Sequence, residues 1–212
     1  MLPLSCQVAR YVGKGAMDSA SQPQHMSRRD AADAMRSKLL ESAARILASE
    51  GISGLTARKL SSAADASTKV VYNHFGGMPG VVAALYDRGF ALLAAQLSKA
   101  VELAKPGQNV AAIADAYRAF ALGNPDLFDL MYGPSVAILL PTPDTRANAS
   151  LALDVLIGAF SESGELIAKD RARAFWAAMH GVTALERTGW FDDDEAQRRL
   201  SEVIAVFEMA DH

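Results

Sequence analysis

The sequence predicts an all-α protein with a three-helix N-terminal unit and a larger helical C-terminal part. Three observations lead there. Short stretches carry apolar residues at helical spacing, and they open on Thr or Ser and close on Gly or Asn. From Met78 onward one such stretch follows another. The chain has 212 residues, half of them hydrophobic, which is enough to bury two cores.

Residues 1–27 show no sustained periodicity, contain Gly, Pro, Ser and Gln, and are expected to form a flexible extension. They lack the longer apolar core of a secretory signal. Arg28 and Arg29, placed just before the first helix, suit either an arm reaching a minor groove or a solvated charge pair. The first helix follows, with Leu39, Leu40, Ala43, Ile46 and Leu47 as its apolar stripe and Gly51 as its C-terminal stop. Thr56 is a good N-cap, so a second helix starts near Ala57. Leu60, Ala63 and Ala64 should face inward there, with Arg58, Lys59, Ser61 and Ser62 outward. Asp65 lies where the chain must turn, and Asp tolerates left-handed backbone. Ser67 caps a third helix whose Val71 and Phe75 point inward, leaving Thr68, Lys69, Tyr72, Asn73 and His74 outside. These outward side chains are donors and acceptors suited to a major groove.

The segment TARKLSSAADASTKVVYNHF resembles the helix-turn-helix of the TetR family of bacterial transcription regulators, and LLESAARILASEGISGLT resembles that family's first helix. Residues 36 to 90 or so are covered. The resemblance implies an N-terminal DNA-binding domain over 28–77 and a ligand-binding, dimerising domain over 78–212. Carried over by position, Arg58 and Lys69 become candidates for base edges, with Thr68 and Asn73 as weaker ones. Thr56, Ser67, Tyr72 and His74 become candidates for phosphate contacts. Other roles stay open: Arg58 as a phosphate contact or free surface charge, Tyr72 as a packing residue, His74 as a cation at a helix C-terminus. The chain departs from the family pattern in the turn, where Asp65-Ala66 replaces the usual Gly-Val, and at Met78, where a phosphate-binding Lys is usual.

Beyond Met78 a long amphipathic helix should run to Lys105-Pro106-Gly107 and link the two parts. The next helix, capped by Asn109, stops at Gly123-Asn124-Pro125, and a short apolar helix or turn, PDLFDLMYGP, follows. The Pro-rich Leu140–Pro143 loop precedes a helix from about Asp144 to Ser163, ended by Gly164. Two final helices, about Lys169 to Thr188 and Asp193 to Ala210, meet at a tight corner that favours antiparallel packing. FWAAMHGVTALERTGWF, with NPDLFDLMYG before it, resembles the C-terminal domain of a TetR subgroup marked by a Trp and a His-Gly pair. In such regulators the last two helices form a four-helix bundle with a second subunit. Ala177, Ala178, Gly181, Ala184 and Leu185, with Val203, Val206 and Phe207, offer interlocking apolar residues for that homodimer. Phe120, Leu127, Phe128, Met131, Tyr132, Phe160, Trp176, Met179 and His180 are candidates to line a cavity for a small apolar effector, or else ordinary core.

Charge is unevenly spread. Ser27 to Met78 carries eight Lys or Arg against five Asp or Glu, whereas Pro79 to His212 carries eleven against eighteen, so the basic part is the motif-bearing part of a chain with net charge −3. The single Cys6 excludes an intrachain disulfide and a Cys zinc cluster, and fits a reducing cytoplasm. No uninterrupted run of about 18 apolar residues suggests a membrane span. No nucleophile motif, phosphate loop or His-Glu-x-x-His pair points to an enzyme, and no cofactor or metal is expected. The expected function is a repressor that a small apolar effector releases from a palindromic operator. The alternative is an architectural or weakly specific DNA-binding protein without ligand control, against which the large apolar second domain counts.

Overall fold

The computed structural model of the chain describes residues 27–133, 143–161 and 165–209. The expected N-terminal extension, the Pro-rich loop up to Thr142 and the stop at Gly164 lie outside them. Within these residues the chain is all-helical: α1 (Arg28–Gly54), α2 (Ala57–Ala63), α3 (Thr68–Phe75), α4 (Met78–Leu103), α5 (Asn109–Gly123), α6 (Pro125–Tyr132), α7 (Pro143–Ala159), α8 (Glu165–Arg187) and α9 (Asp193–Met209).

The first helix begins earlier than its apolar stripe. The Ser27 hydroxyl accepts from the Asp30 amide at 3.1 Å while the Asp30 carboxylate accepts from the Ser27 amide at 3.1 Å, a reciprocal cap that satisfies two orphan donors. Arg28 and Arg29 therefore sit inside the first turn of α1, not in an arm ahead of it. At Gly51 the backbone leaves helical geometry, with φ +66°, and the helix breaks where the sequence places its stop.

Thr56 caps α2 through its side chain, accepting from the Lys59 amide at 3.3 Å. The inward face of α2 is Leu60, Ser61 and Ala64, whereas Ala63 is exposed. Ser61 tolerates burial because its hydroxyl donates to the Arg58 carbonyl at 3.0 Å, so a polar residue takes the place expected of Ala63. Asp65 is the one described non-Gly residue in the left-handed region, with φ +52°. Ser67 has the extended backbone of a cap but no capping side-chain bond, which differs from the expected role. Gln108, not Asn109, is the cap residue of α5.

Two cores result. Leu39, Ala43, Leu47, Leu60, Val71 and Leu85 fill the head, and Phe90, Leu97, Ile113, Tyr117, Phe128 and Phe175 fill the body. Each Leu, Ile, Val or Phe side chain among them contributes about 1.5–3 kcal/mol on burial. Leu130 of α6 belongs to the head core, and Tyr86 of α4 and Leu127 of α6 pack against both, so α4 and α6 join the two parts. Among the described residues α4 alone is long and apolar enough to cross a membrane, but nearly half of that stretch is buried inside the fold, as befits a central core helix.

Candidate functional site

The head presents a polar surface held by an apolar underside. Val71, fully buried, anchors α3 in the head core. Thr68, Lys69 and Asn73 on α3 and Arg58 on α2 are exposed, and Tyr72 is 58% exposed. None of these five side chains makes a hydrogen bond or ion pair among the described residues. The adjacent Lys59 differs, since it pairs with Glu50. His74 is half-buried in the last turn of α3. The sequence-selected residues are thus brought together on two consecutive short helices, with Thr56 and Ser67 at their N-termini.

Two features fix α3 that the motif does not reveal. The Arg36 guanidinium stands 4.6 Å from the centre of the Phe75 ring, a cation–π contact from α1. A Cβ on Gly80 would come within 1.8 Å of the Phe75 carbonyl oxygen, so the joint between α3 and α4 closes only because that residue has no side chain. The Tyr72 ring leans over Gly77, 3.2 Å from where a Cβ would sit, which leaves its hydroxyl end to solvent. Arg36 lies outside the apolar stripe of α1, so its partner cannot be read from spacing.

The body holds a second polar cluster, deep among aromatic rings. Trp176 can only donate, and its Nε1 gives its hydrogen to the Tyr117 hydroxyl oxygen at 3.3 Å. The Tyr117 hydroxyl lies 2.9 Å from His180 Nδ1. With the one Tyr117 hydroxyl hydrogen directed to Nδ1, the chain runs from Trp176 through Tyr117 to His180, an arrangement in which His180 is neutral and carries its hydrogen on Nε2. Burial, and then the charge of Arg187, push the His180 pKa down, in keeping with a neutral ring. Burial pushes Tyr117 up to about 12 and raises Tyr132 as well. The Tyr132 hydroxyl is buried without a hydrogen bond.

His180 stacks on Phe128 at 5.5 Å and meets Tyr132 at 4.8 Å. These three line a cleft of about 270 Å³ with Arg187 at its edge. Arg187 is held by Asp129 at 2.6 Å and by the Pro125 carbonyl at 3.0 Å. Of the other candidate lining residues, Phe120, Met131, Phe160 and Met179 are buried in the body core away from that cleft, Phe160 against Phe175 and Phe207. Trp176 reaches it through Tyr117, and Leu127 packs between the two cores. Sequence reasoning missed Tyr117. Its signal is a tyrosine inside the apolar stripe of α5, where a buried hydroxyl needs a partner.

Two family models match successive parts of the chain. Residues 39–85 match the family model described as bacterial regulatory proteins, tetR family, and residues 110–207 match one described as a tetracyclin repressor-like C-terminal domain. The two together take in more than half of the chain. The protein belongs to the TetR family. It is therefore a DNA-binding transcription regulator with a helix-turn-helix head. Among curated relatives, the uncharacterized HTH-type transcriptional regulator YobS of Bacillus subtilis (strain 168) is 28% identical over 166 residues, which span 74% of this chain and 81% of YobS. A solved structure of a protein with unknown function from Rhodococcus sp. RHA1 superposes with a TM-score of 0.73 at 27% identity, covering 90% of this chain and 98% of that one. A TetR family transcription regulator from Marinobacter aquaeolei VT8 shares the fold, with a TM-score of 0.62 at 18% identity over 84% and 97% of the two chains. Among the described residues of this TetR protein no group of three His, Cys, Asp or Glu is placed to hold a metal ion.

Proposed function

We propose that the protein is a cytoplasmic, homodimeric repressor that reads a palindromic operator and is released from it by a small, uncharged effector in the body. The observation that carries the reading is the unpartnered polar face of α2 and α3 on a head otherwise tied to its neighbours. Arg58 and Lys69 are assigned to base edges, Thr68 and Asn73 to supporting contacts, and Thr56, Ser67, Tyr72 and His74 to phosphates.

The last two helices are assigned to the dimer. Leu185 is 41% and Val206 60% exposed, and Ala177 is exposed beside them on α8. Gly181 supports this most directly. A helical Gly costs about 1 kcal/mol relative to Ala, and a Cβ there would meet nothing among the described residues, which give no reason for it. Close approach of a partner helix does. Two-fold symmetry then sets the heads roughly 34–36 Å apart, or at a multiple of that.

The effector is assigned to the cleft of Phe128, Tyr132 and His180. His180 Nε2 offers a hydrogen there, the Tyr132 hydroxyl offers a second polar group, and the stacked rings suit a flat apolar molecule carrying a hydrogen-bond acceptor. Its occupation shifts α6 and, through Leu130 and Leu127, the head.

Selection of bound duplexes from a random pool, with the native chain and with Arg58→Ala and Lys69→Ala, tests the reading. A palindrome with half-sites about one helical turn apart, relaxed by either substitution, is expected. Weak, salt-sensitive binding without an enriched sequence would overturn it. Effector control fails if a body ligand binds free and DNA-bound dimer with equal affinity.

A further inference from the structure

We infer a second ligand site, separate from the His180 cleft, in the seam between the head and the body: it takes a small monocarboxylate with an apolar tail, held by Arg88. The seam is a cleft of about 350 Å³, inside the range of roughly 300–1,000 Å³ of small-molecule sites. Its apolar walls come from three directions: Ala44 and Leu47 of α1, Leu85 and Leu92 of α4, and Leu127 of α6. Ala44 and Ala48, one turn apart on α1, are the small residues that leave the space open. Leu92, at 44% exposure, is a large apolar side chain left uncovered by the chain itself.

Arg88 supplies the polar end. It lines the seam, is only partly exposed, and makes no hydrogen bond or ion pair among the described residues. The other arginines near the inter-helix contacts are engaged, Arg118 by Glu186, Arg187 by Asp129 and Arg45 by Ser42. A planar guanidinium beside an apolar cleft matches a carboxylate in charge and in the paired geometry of its donors. Asp126 is the opposing charge. It also lines the seam, and its Oδ1 lies 3.7 Å from where a Cβ on Gly51 would be, towards the break in α1. It does not pair with Arg88, so it disfavours an anion through space without occupying the guanidinium.

Because its walls come from α1, α4 and α6, the helices that meet where the head joins the body, an occupant fixes the angle between α1 and α4. Carboxylate binding and operator binding are therefore coupled.

Calorimetric titration of the full-length protein with sodium octanoate tests the site, with octanol as the uncharged control. One octanoate per protomer is expected, with octanol at least tenfold weaker. Arg88→Gln should weaken octanoate at least tenfold and leave octanol unchanged. Asp126→Asn should tighten octanoate severalfold, a sign that mere disruption of the seam would not give. Ala48→Leu, at an exposed helical position, should fill the cleft and abolish binding without unfolding the protein. His180→Ala should leave octanoate binding intact, which separates this site from the body cleft. Absence of octanoate binding, equal binding of octanol, indifference to Arg88→Gln, weaker binding in Asp126→Asn, or loss of binding in His180→Ala would each overturn the inference.

Discussion

At the scale of single residues the body is organised by one hydrogen-bond chain, from Trp176 through Tyr117 to His180. In the arrangement with Tyr117 donating, the chain needs Nδ1 of His180 to accept. Protonation would turn that nitrogen into a donor facing the donating hydroxyl of Tyr117. Burial, and then the charge of Arg187, place the folded pKa of His180 below its ordinary value of 6.5. As pH falls, the unfolded chain takes up this proton first. The contribution of the neutral ring is therefore fully present above about 6.5 and is lost as pH falls through the lower folded value. Urea unfolding between pH 7.5 and about 5 should show stability declining with acid, and His180→Gln should flatten part of that decline; an unchanged slope would contradict a His180 ring held neutral by burial. The sequence singled out His180 and Trp176 four residues apart on one helix. It did not reveal Tyr117, because the hydroxyl that links them comes from α5, 59 and 63 positions away.

At the scale of elements, the head was legible because its signals are local. Thr56 caps α2, Gly51 breaks α1 and Asp65 turns left-handed, each where its own chemistry puts it. What spacing misplaced was the inner face of α2, since a seven-residue helix offers less than two turns of pattern and Ser61 hides its hydroxyl on its own helix. The start of α1 was also misplaced, because a capping box can extend a helix beyond any apolar stripe. Two substitutions probe these elements. Asp65→Gly removes the side-chain conflict at φ +52°, and should stabilise the head by up to about 1 kcal/mol in thermal unfolding while keeping operator binding. Gly80→Ala sets a Cβ against the Phe75 carbonyl, where backbone lies on both sides and nothing flexible can yield. It should cost about 3 kcal/mol or more and abolish operator binding; a variant that binds normally would mean that the joint is looser than described.

At the scale of the whole molecule, the two-part architecture followed from composition and charge, but the contacts that fuse the parts did not. Leu130, Leu127 and Tyr86 meet the head core across distances in sequence that no periodicity encodes. Assembly is probed at Gly181. Gly181→Arg should leave the protomer folded, because a Cβ at this position meets nothing among the described residues, yet light scattering should report a monomer and operator affinity should collapse. A dimer that survives would move the interface away from α8. The length of α4 carries one more consequence, a mechanical one. Its 26 residues make a beam of roughly 39 Å whose far end begins at the recognition helix. A tilt of about 5° pivoted in the body sweeps that end through about 3 Å, close to the ~3.4 Å rise between neighbouring base pairs. Phe90 lies half-way along this beam, so a displacement of about 1.7 Å there would be doubled at the head, into a step of one rung along the DNA ladder.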